Sequence, residues 1–403
     1  MDLFDKCRKF QRAKELIQQG YYPYFRPISE SRGGTEAVVN GRTLIMFGSN
    51  NYLGLTHHPA VQEAAARAIE RYGTGCTGSR FLNGTLDLHE ELEERLARFV
   101  GKEACLTFST GFQANLGSIA TLVGRDEVIF CDRENHASIF DGCRLSFGEV
   151  RKFRHNDMED LERLLAREPS AGAKLIVVDG LFSMLGDLAD LPTLVELARK
   201  YGARVLVDEA HAVGVMGPRG AGSAEHFGLT DEVDLILGTF SKSLASMGGF
   251  VAGPEAVIHY IKHHSRPLIF SASISPSCAA TVLAALEVVE TEPAVRAALW
   301  DNVDYMRRGL AERELDSGES RTPIQPIIVG DQMKTFVYWK RLYDAGVYVN
   351  PVISPAAPPG KDLIRTSTMA THTHEQIDRA LDLFAHFATQ LGIRKQPAPK
   401  SQA

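Results

Sequence analysis

The sequence predicts an α/β fold, with a mainly parallel sheet in a large domain and a smaller α+β domain after it. Two observations carry this. Between about Asn51 and Glu290, short apolar runs alternate with longer segments of helical period. Several of those runs are apolar throughout rather than at every second residue, which suits strands covered on both faces.

Taken in order, Phe4, Cys7, Phe10, Ala13 and Ile17 fall at helical spacing, so an amphipathic helix over residues 3–19 is expected to open the chain. Tyr21 to Gly48 reads as irregular chain followed by short strands. Strands are expected at Ala104–Phe108, Val128–Asp132, Leu175–Asp179, Arg204–Asp208, Leu235–Thr239 and Phe250–Ala252. Leu86–Val100 reads as a helix, because Leu88, Leu92, Leu96 and Phe99 form one stripe and Gly101 follows as a stop. The last helix begins at a capping box, Thr373 with Gln376, and ends at Gly392; the Pro- and Lys-rich tail after Ile393 reads as frayed. The expected domains are an N-terminal helix and arm over 1–50, a large domain over 51–290 and a small one over 291–403.

Composition removes several classes of function. With 44% hydrophobic and 23% charged residues in a chain of 403, the protein is an ordinary soluble one. A net charge of −6 leaves no positive excess for phosphate backbones, so no nucleic-acid partner is expected. Six scattered cysteines without a C-x-x-C pair suggest reduced thiols rather than disulfides or zinc. The charged start, Met1 to Lys6, lacks an apolar signal core, and no apolar run approaches the ~18 residues of a membrane span. A cytoplasmic protein is expected, with peripheral membrane contact left open. His57-His58 and His372-x-His374 have neither i, i+4 spacing nor an acid cluster, so no metal is expected, and the second pair reads as surface histidines at a helix start.

Three features converge on one chemistry. Val205-Leu206-Val207-Asp208-Glu209-Ala210-His211 is an apolar strand ending in an acid. Ligands of open α/β sheets sit at that end, and a carboxylate there can keep a pyridine nitrogen protonated. Gly238-Thr239-Phe240-Ser241-Lys242-Ser243 sets a lysine among small hydroxyls just past another strand, which suits an imine-forming amine beside a phosphate. Ser109-Thr110-Gly111-Phe112-Gln113 is a strand-to-helix turn whose amides can cradle that phosphate. Singly, each has a plainer reading: a helix cap, a solvated lysine, a tight turn. Together they favour pyridoxal 5′-phosphate (PLP). Gly73-Thr74-Gly75-Cys76-Thr77-Gly78 spells a dinucleotide fingerprint, but a helical segment precedes it and no helical period follows, so a nicotinamide cofactor is rejected.

Asn50-Asn51-Tyr52-Leu53-Gly54-Leu55, Asn135-His136-Ala137-Ser138, Phe182-Ser183-Met184-x-Gly186-Asp187, Asp208-Glu209-Ala210-His211 and Thr239-Phe240-Ser241-Lys242 together resemble the α-oxoamine synthases, a group of fold-type I PLP-dependent transferases. The resemblance runs from the N-terminal helix to Gly392. It implies that Lys242 forms the Schiff base and moves the proton at the substrate α-carbon. His136 then stacks on the ring and helps orient the substrate carboxylate, its plainer alternative being a cap on the helix starting at Ala137. Asp208 pairs with the ring nitrogen and His211 with the ring oxygen. Gly111, Phe112, Thr239 and Ser241 hold the phosphate or ring, with Ser183 close by. Ser271 and Ser273 resemble a segment that reaches a partner subunit's phosphate, which implies a homodimer with a shared active site. Asn51 and Arg365 are assigned to substrate, Arg365 to its carboxylate.

The implied substrates are an amino acid and an acyl-CoA. Within the family, Thr77–Thr85, Arg154-His155-Asn156-Asp157 and Thr239–Ser243 are most similar to the branch that joins L-serine to palmitoyl-CoA, giving 3-oxosphinganine. The branch that joins L-alanine to a pimeloyl thioester, and those that use glycine to make 2-amino-3-ketobutyrate or 5-aminolevulinate, more often carry glycine at the place of Ser241. Pro355-Ala356-Ala357-Pro358-Pro359-Gly360 resembles a loop that closes over acyl-CoA, in a different residue order. A catalytically silent partner subunit is the reading from another class, and the presence of Lys242 argues against it.

Overall fold

The computed structural model describes residues 2–168, 172–357 and 360–393. Two compact units are present: Asn50–Ser183 with Asp187–Leu299, and Met1–Ser49 with Met184–Gly186 and Trp300–Ala403.

Among the described residues, the first unit contains a seven-stranded sheet of β1 (Ala104–Phe108), β2 (Val128–Asp132), β3 (Glu149–Phe153), β4 (Lys174–Asp179), β5 (Arg204–Asp208), β6 (Leu235–Thr239) and β7 (Gly249–Gly253). The spatial order is β1-β7-β6-β5-β4-β2-β3. β7 runs antiparallel to both neighbours, and the pairings from β6 to β3 are parallel. This is the mainly parallel sheet of a large α/β unit that the sequence predicts. Every residue of β2, β4, β6 and β7 is buried, which is why these strands read as unbroken apolar runs. Ile129, Val177 and Leu206 lie in one core cluster with Ile119, Ile139 and Ile261. Burying each such side chain contributes about 1.5–3 kcal/mol.

β3 has no counterpart in the sequence reading. It lies at the sheet edge, and Arg151 and Lys152 break its apolar pattern, as edge strands commonly do. Lys152 rests its ammonium over the Phe140 ring at 4.3 Å, and Arg151 pairs with Glu168 at 3.0 Å. The helix after the fingerprint-like glycines is missing, as the pattern requires: Pro59–Tyr72 is helical before them, and turns follow.

The second unit joins a four-stranded sheet, made of Glu30–Arg32, Glu36–Val39, Arg42–Met46 and Val347–Tyr348, to a three-stranded sheet that includes Ile324–Ile328 and Leu363–Ser367. Phe47, Trp339, Tyr338, Leu342 and Phe384 centre its core. The final helix, His374–Leu391, carries the expected capping box at Thr373 and Gln376 and a left-handed Gly392 at its end. The tip Met184–Leu185 packs on Val352, Ala357 and Leu363.

Two expectations are corrected here. The opening helix is two short ones, Asp5–Lys9 and Arg12–Gln18, separated where Phe10 turns extended, and neither buries a residue. Segments of five and seven residues are too short to hold a helix by backbone hydrogen bonds alone, so the apolar spacing did not secure one element. His372 is buried, not a surface residue: it stacks on Phe47 at 4.2 Å, lies 3.1 Å from the Met46 carbonyl through Nε2, and accepts from Met369 N at Nδ1. Burial pushes its pKa down to about 4. Pro358 and Pro359 of the expected loop, and the tail after Ile393, lie outside the described residues. No helix among the described residues is long and apolar enough to cross a membrane.

Candidate active site

The carboxyl ends of the strands open onto a cavity of about 360 Å³, a volume typical of small-ligand sites. Each strand delivers its wall residues at the place where it ends. Thr110, Gly111 and Phe112 follow β1; His136 and Ser138 follow β2. Asp179 ends β4 and Ser183 follows it. Asp208 ends β5, with Ala210 and His211 next. Thr239 ends β6, with Ser241 and Lys242 next. Met247 and Gly248 precede β7, which is antiparallel and so starts at the same edge.

One corner is shaped for an anion. The helix Gly111–Leu122 starts there, with Thr110 as N-cap accepting from Gln113 N. A Cβ at Gly111 would lie 2.7 Å from Thr239 Cβ and Oγ1, so only glycine lets the helix N-terminus come this close to β6. Thr239 Oγ1 lies 2.9 Å from Ser241 Oγ and donates to the Gly248 carbonyl at 3.0 Å. Unpaired helix amides, a positive dipole end and two hydroxyls suit a phosphate.

The cavity floor is acidic and tightly held. Asp208 Oδ2 accepts from Asn115 Nδ2 at 2.6 Å, and Oδ1 accepts from Ala210 N at 2.9 Å. Asn115 Nδ2 also reaches Ser138 Oγ at 2.9 Å. In register beside Asp208 stands Asp179, which accepts from His136 N at 2.8 Å. Burial, and after it the Asp208 charge, push the Asp179 pKa well above the carboxylate range. His211 meets Tyr52 across 2.7 Å between Nδ1 and the phenol oxygen.

His136 fulfils both readings offered by the sequence. Its Nδ1 accepts from Ser138 N at 3.3 Å and so caps the helix Ala137–Leu145, while the side chain also forms cavity wall. An Nδ1 that accepts leaves the proton on Nε2. Burial chiefly, helped by the Lys242 charge and opposed by Asp208, lowers its pKa, so the ring is neutral at pH 7. Phe112 meets it edge-on, 6.5 Å between centroids.

Nine sequence-chosen residues thus meet in one cavity: Gly111, Phe112, His136, Ser183, Asp208, His211, Thr239, Ser241 and Lys242. Ser271 and Ser273 line a separate narrow crevice with Arg80 and Ser109. Ser271 Oγ accepts from Gln113 Nε2 at 3.1 Å, and Ser273 Oγ donates to the Gly78 carbonyl at 3.2 Å. Asn51 is buried and donates to Thr56 Oγ1 at 2.8 Å. Arg365 is buried on Leu363–Ser367 in the second unit and donates to Ser367 Oγ at 2.8 Å. Sequence reasoning missed Asn115 and Asp179. The signal for Asp179 was present, since it ends an apolar strand just as Asp208 does. Among the described residues no cluster of three His, Cys, Asp or Glu could hold a metal.

The profile of aminotransferase class I and II matches residues 42–384, and the chain belongs to that family. Over 391 residues it is 54% identical to a serine palmitoyltransferase of Sphingobacterium spiritivorum, covering 97% of this chain and 98% of that one. An 8-amino-7-oxononanoate synthase of Geobacter sulfurreducens is 44% identical over 382 residues, or 94% of this chain and 97% of that one. Among solved structures, serine palmitoyltransferase from S. paucimobilis, with a bound PLP–myriocin aldimine, superposes with a TM-score of 0.94 at 39% identity, covering 98% of this chain and all of that one.

Proposed function

We propose that this chain is a PLP-dependent acyltransferase that condenses L-serine with palmitoyl-CoA, yielding 3-oxosphinganine, CoA and CO2. The observation that carries it is the near-complete alignment, at 54% identity, with a serine palmitoyltransferase. The lysine-bearing cavity is present as well, which disfavours a silent partner subunit.

PLP, when bound, supplies an aldehyde that captures the substrate amine and a protonated ring that takes up the electron pair left when the Cα–H bond breaks. The residues fit that group. Gly111, Phe112, Thr239 and Ser241 would hold the phosphate or the ring, with Ser183 close by. Asp208, its two oxygens already oriented by Asn115 and Ala210, would keep a proton on the ring nitrogen. His211, steadied by Tyr52, would hold the ring oxygen. Neutral His136 would stack on the ring and help orient the substrate carboxylate through Nε2–H, with Arg365 also serving that carboxylate and Asn51 assigned to substrate. Lys242 would hold the aldehyde, and its amine stands to move the proton at the substrate Cα. The protein works as a cytoplasmic homodimer in which Ser271 and Ser273 reach the partner subunit's phosphate.

The test is a visible-absorbance titration of PLP-loaded protein with serine, alanine, glycine and threonine, each followed by palmitoyl-CoA or pimeloyl-CoA with thiol release recorded. A serine-dependent change and CoA release from palmitoyl-CoA support the proposal. Preference for alanine and pimeloyl-CoA assigns the chain to 8-amino-7-oxononanoate synthesis. No response to any amino acid sinks both.

A further inference from the structure

The Arg154–Asp157 block takes no part in the chemistry above, yet it stands just past β3 at the carboxyl edge of the sheet. His155 lies between carboxylates from two different loops. Its Nδ1 is 3.1 Å from Asp132 Oδ1 and its Nε2 is 2.9 Å from Asp187 Oδ2. Glu134 approaches Nε2 at 3.8 Å, so three acids face one imidazole. The ring also meets Phe182 edge-on at 4.4 Å. Asn156 repeats the link: its N–H donates to Asp132 Oδ2 at 2.8 Å, and its side chain joins the Leu188 carbonyl and Asp190 N, both at 2.9 Å.

Burial alone would lower the His155 pKa, but the Asp132 and Asp187 carboxylates outweigh it and raise the value to about 10. The ring is therefore an imidazolium at neutral pH, and both N–H groups donate. Each joined loop also supplies cavity wall. Asp132 ends β2 and is followed by His136, while Phe182 N donates to the Asp187 carbonyl at 2.9 Å, closing the loop that carries Ser183. Asn135 keeps the first loop on β4, donating to the Val177 carbonyl at 2.8 Å and accepting from Asp179 N at 2.9 Å.

We infer that His155 is a positioning residue: a fixed cation bridging Asp132 and Asp187 sets the spacing of His136 and Ser183 across the cavity. This rests on the proposed function, since it concerns the same cavity and its cofactor. A bridge of this kind controls how well ring and amino acid are held, and leaves the proton transfer at Lys242 alone. The other role available to the cluster is a brace for the exposed edge strand, which would affect stability without changing binding.

The two are separated by His155→Gln, which keeps a hydrogen-bonding side chain and removes the charge. In the PLP-loaded enzyme, KM for serine is expected to rise about tenfold, the factor one charge-assisted hydrogen bond carries, with kcat within about twofold. PLP titrated into the apoprotein, followed by fluorescence, is expected to bind about tenfold more weakly. If His155→Gln does not fold, Asp187→Asn, which leaves the Asp132 pairing in place, carries the same expectation. Unchanged KM and PLP affinity with a lower unfolding midpoint overturn the inference in favour of the brace. A fall in kcat at constant KM overturns it too. Wild-type protein runs alongside: if it is silent, the proposed function falls and this inference with it, whereas an active wild type with an unaltered variant removes this inference alone.

Discussion

The two ends of the large sheet each carry a cavity, and the contrast shows what makes a site. At the amino ends of β2, β4, β5 and β6, about 390 Å³ is lined by Leu122, Val123, Val128, Leu175, Leu235, Pro254 and Val257 together with Glu127, Lys174, Arg204 and Asp234. At the carboxyl ends, a slightly smaller space is lined by His136, Asp179, Asp208, Thr239, Ser241 and Lys242. The larger cavity offers fewer polar residues to a ligand. Its charges are already engaged, Arg204 with Asp234 at 2.7 Å, Glu127 with Gly124 N at 2.6 Å and Lys174 with the Gly172 carbonyl at 3.1 Å. At the other end, polar groups are fixed by partners behind the wall, as Asn115 fixes Asp208. Prefixed polarity, rather than volume, distinguishes the two.

The sharpest way to break this contrast is Lys242→Ala. It removes the amine while leaving the fold in place, and turnover is expected to fall about 10³-fold or more, since covalent capture and proton shuttling are lost together. Stopped-time product assays and loss of the visible band with bound PLP check it. Asp208→Asn keeps the shape and removes the charge. Its expected cost is on the order of 10²-fold in kcat, the size seen when one fixed electrostatic partner is taken from a transition state. Turnover near the wild-type level in either variant would mean that the wrong end of the sheet had been chosen.

The same contrast explains what the sequence made legible. Lys242, Asp208 and Gly111 stand at strand ends, and an apolar run followed by a polar residue marks such places without knowledge of the rest of the chain. β2 and β5 were read to the residue for the same reason. Asn115 was not legible, because it lies inside a helix and its partner Asp208 is 93 positions away. His372 looked like a surface residue because its burial comes from Met46 and Phe47, far off in sequence. β3 was hidden by Arg151 and Lys152, whose charges suit an edge and erase the apolar pattern.

Smaller effects test the fixing partners. Asn115→Ala leaves Asp208 with one donor, Ala210 N, and is expected to reduce kcat about tenfold, as loss of one hydrogen bond to a charged group does. PLP should still bind. His136 offers a test by titration. Because its pKa is lowered, chiefly by burial, its NMR midpoint in the apoprotein should lie below the ordinary 6.5. The sign follows: a histidine whose folded pKa is lowered contributes fully above 6.5, and its contribution is lost as pH falls through the folded value. A midpoint at or above 6.5 would show that the cavity wall does not hold His136 neutral.

The smallest catalytic effect is expected at the opposite end of a strand that serves both cavities. Leu175 and Asp179 lie on β4, the first at its amino end against the apolar cavity, the second in the active-site floor. Leu175→Ala removes buried core and should cost about 2–5 kcal/mol of stability, read as a lower unfolding midpoint in urea. Its backbone pairs with Arg204 and Ile129 are independent of the side chain, so β4 keeps its register and Asp179 its place beside Asp208. Per folded molecule, kcat and KM should stay within about twofold, because a distant site without shared partners adds independently. A KM change well beyond that, with PLP saturating, would show that the amino-end cavity communicates with the site, and the division of the sheet into a working end and a packing end would have to be given up.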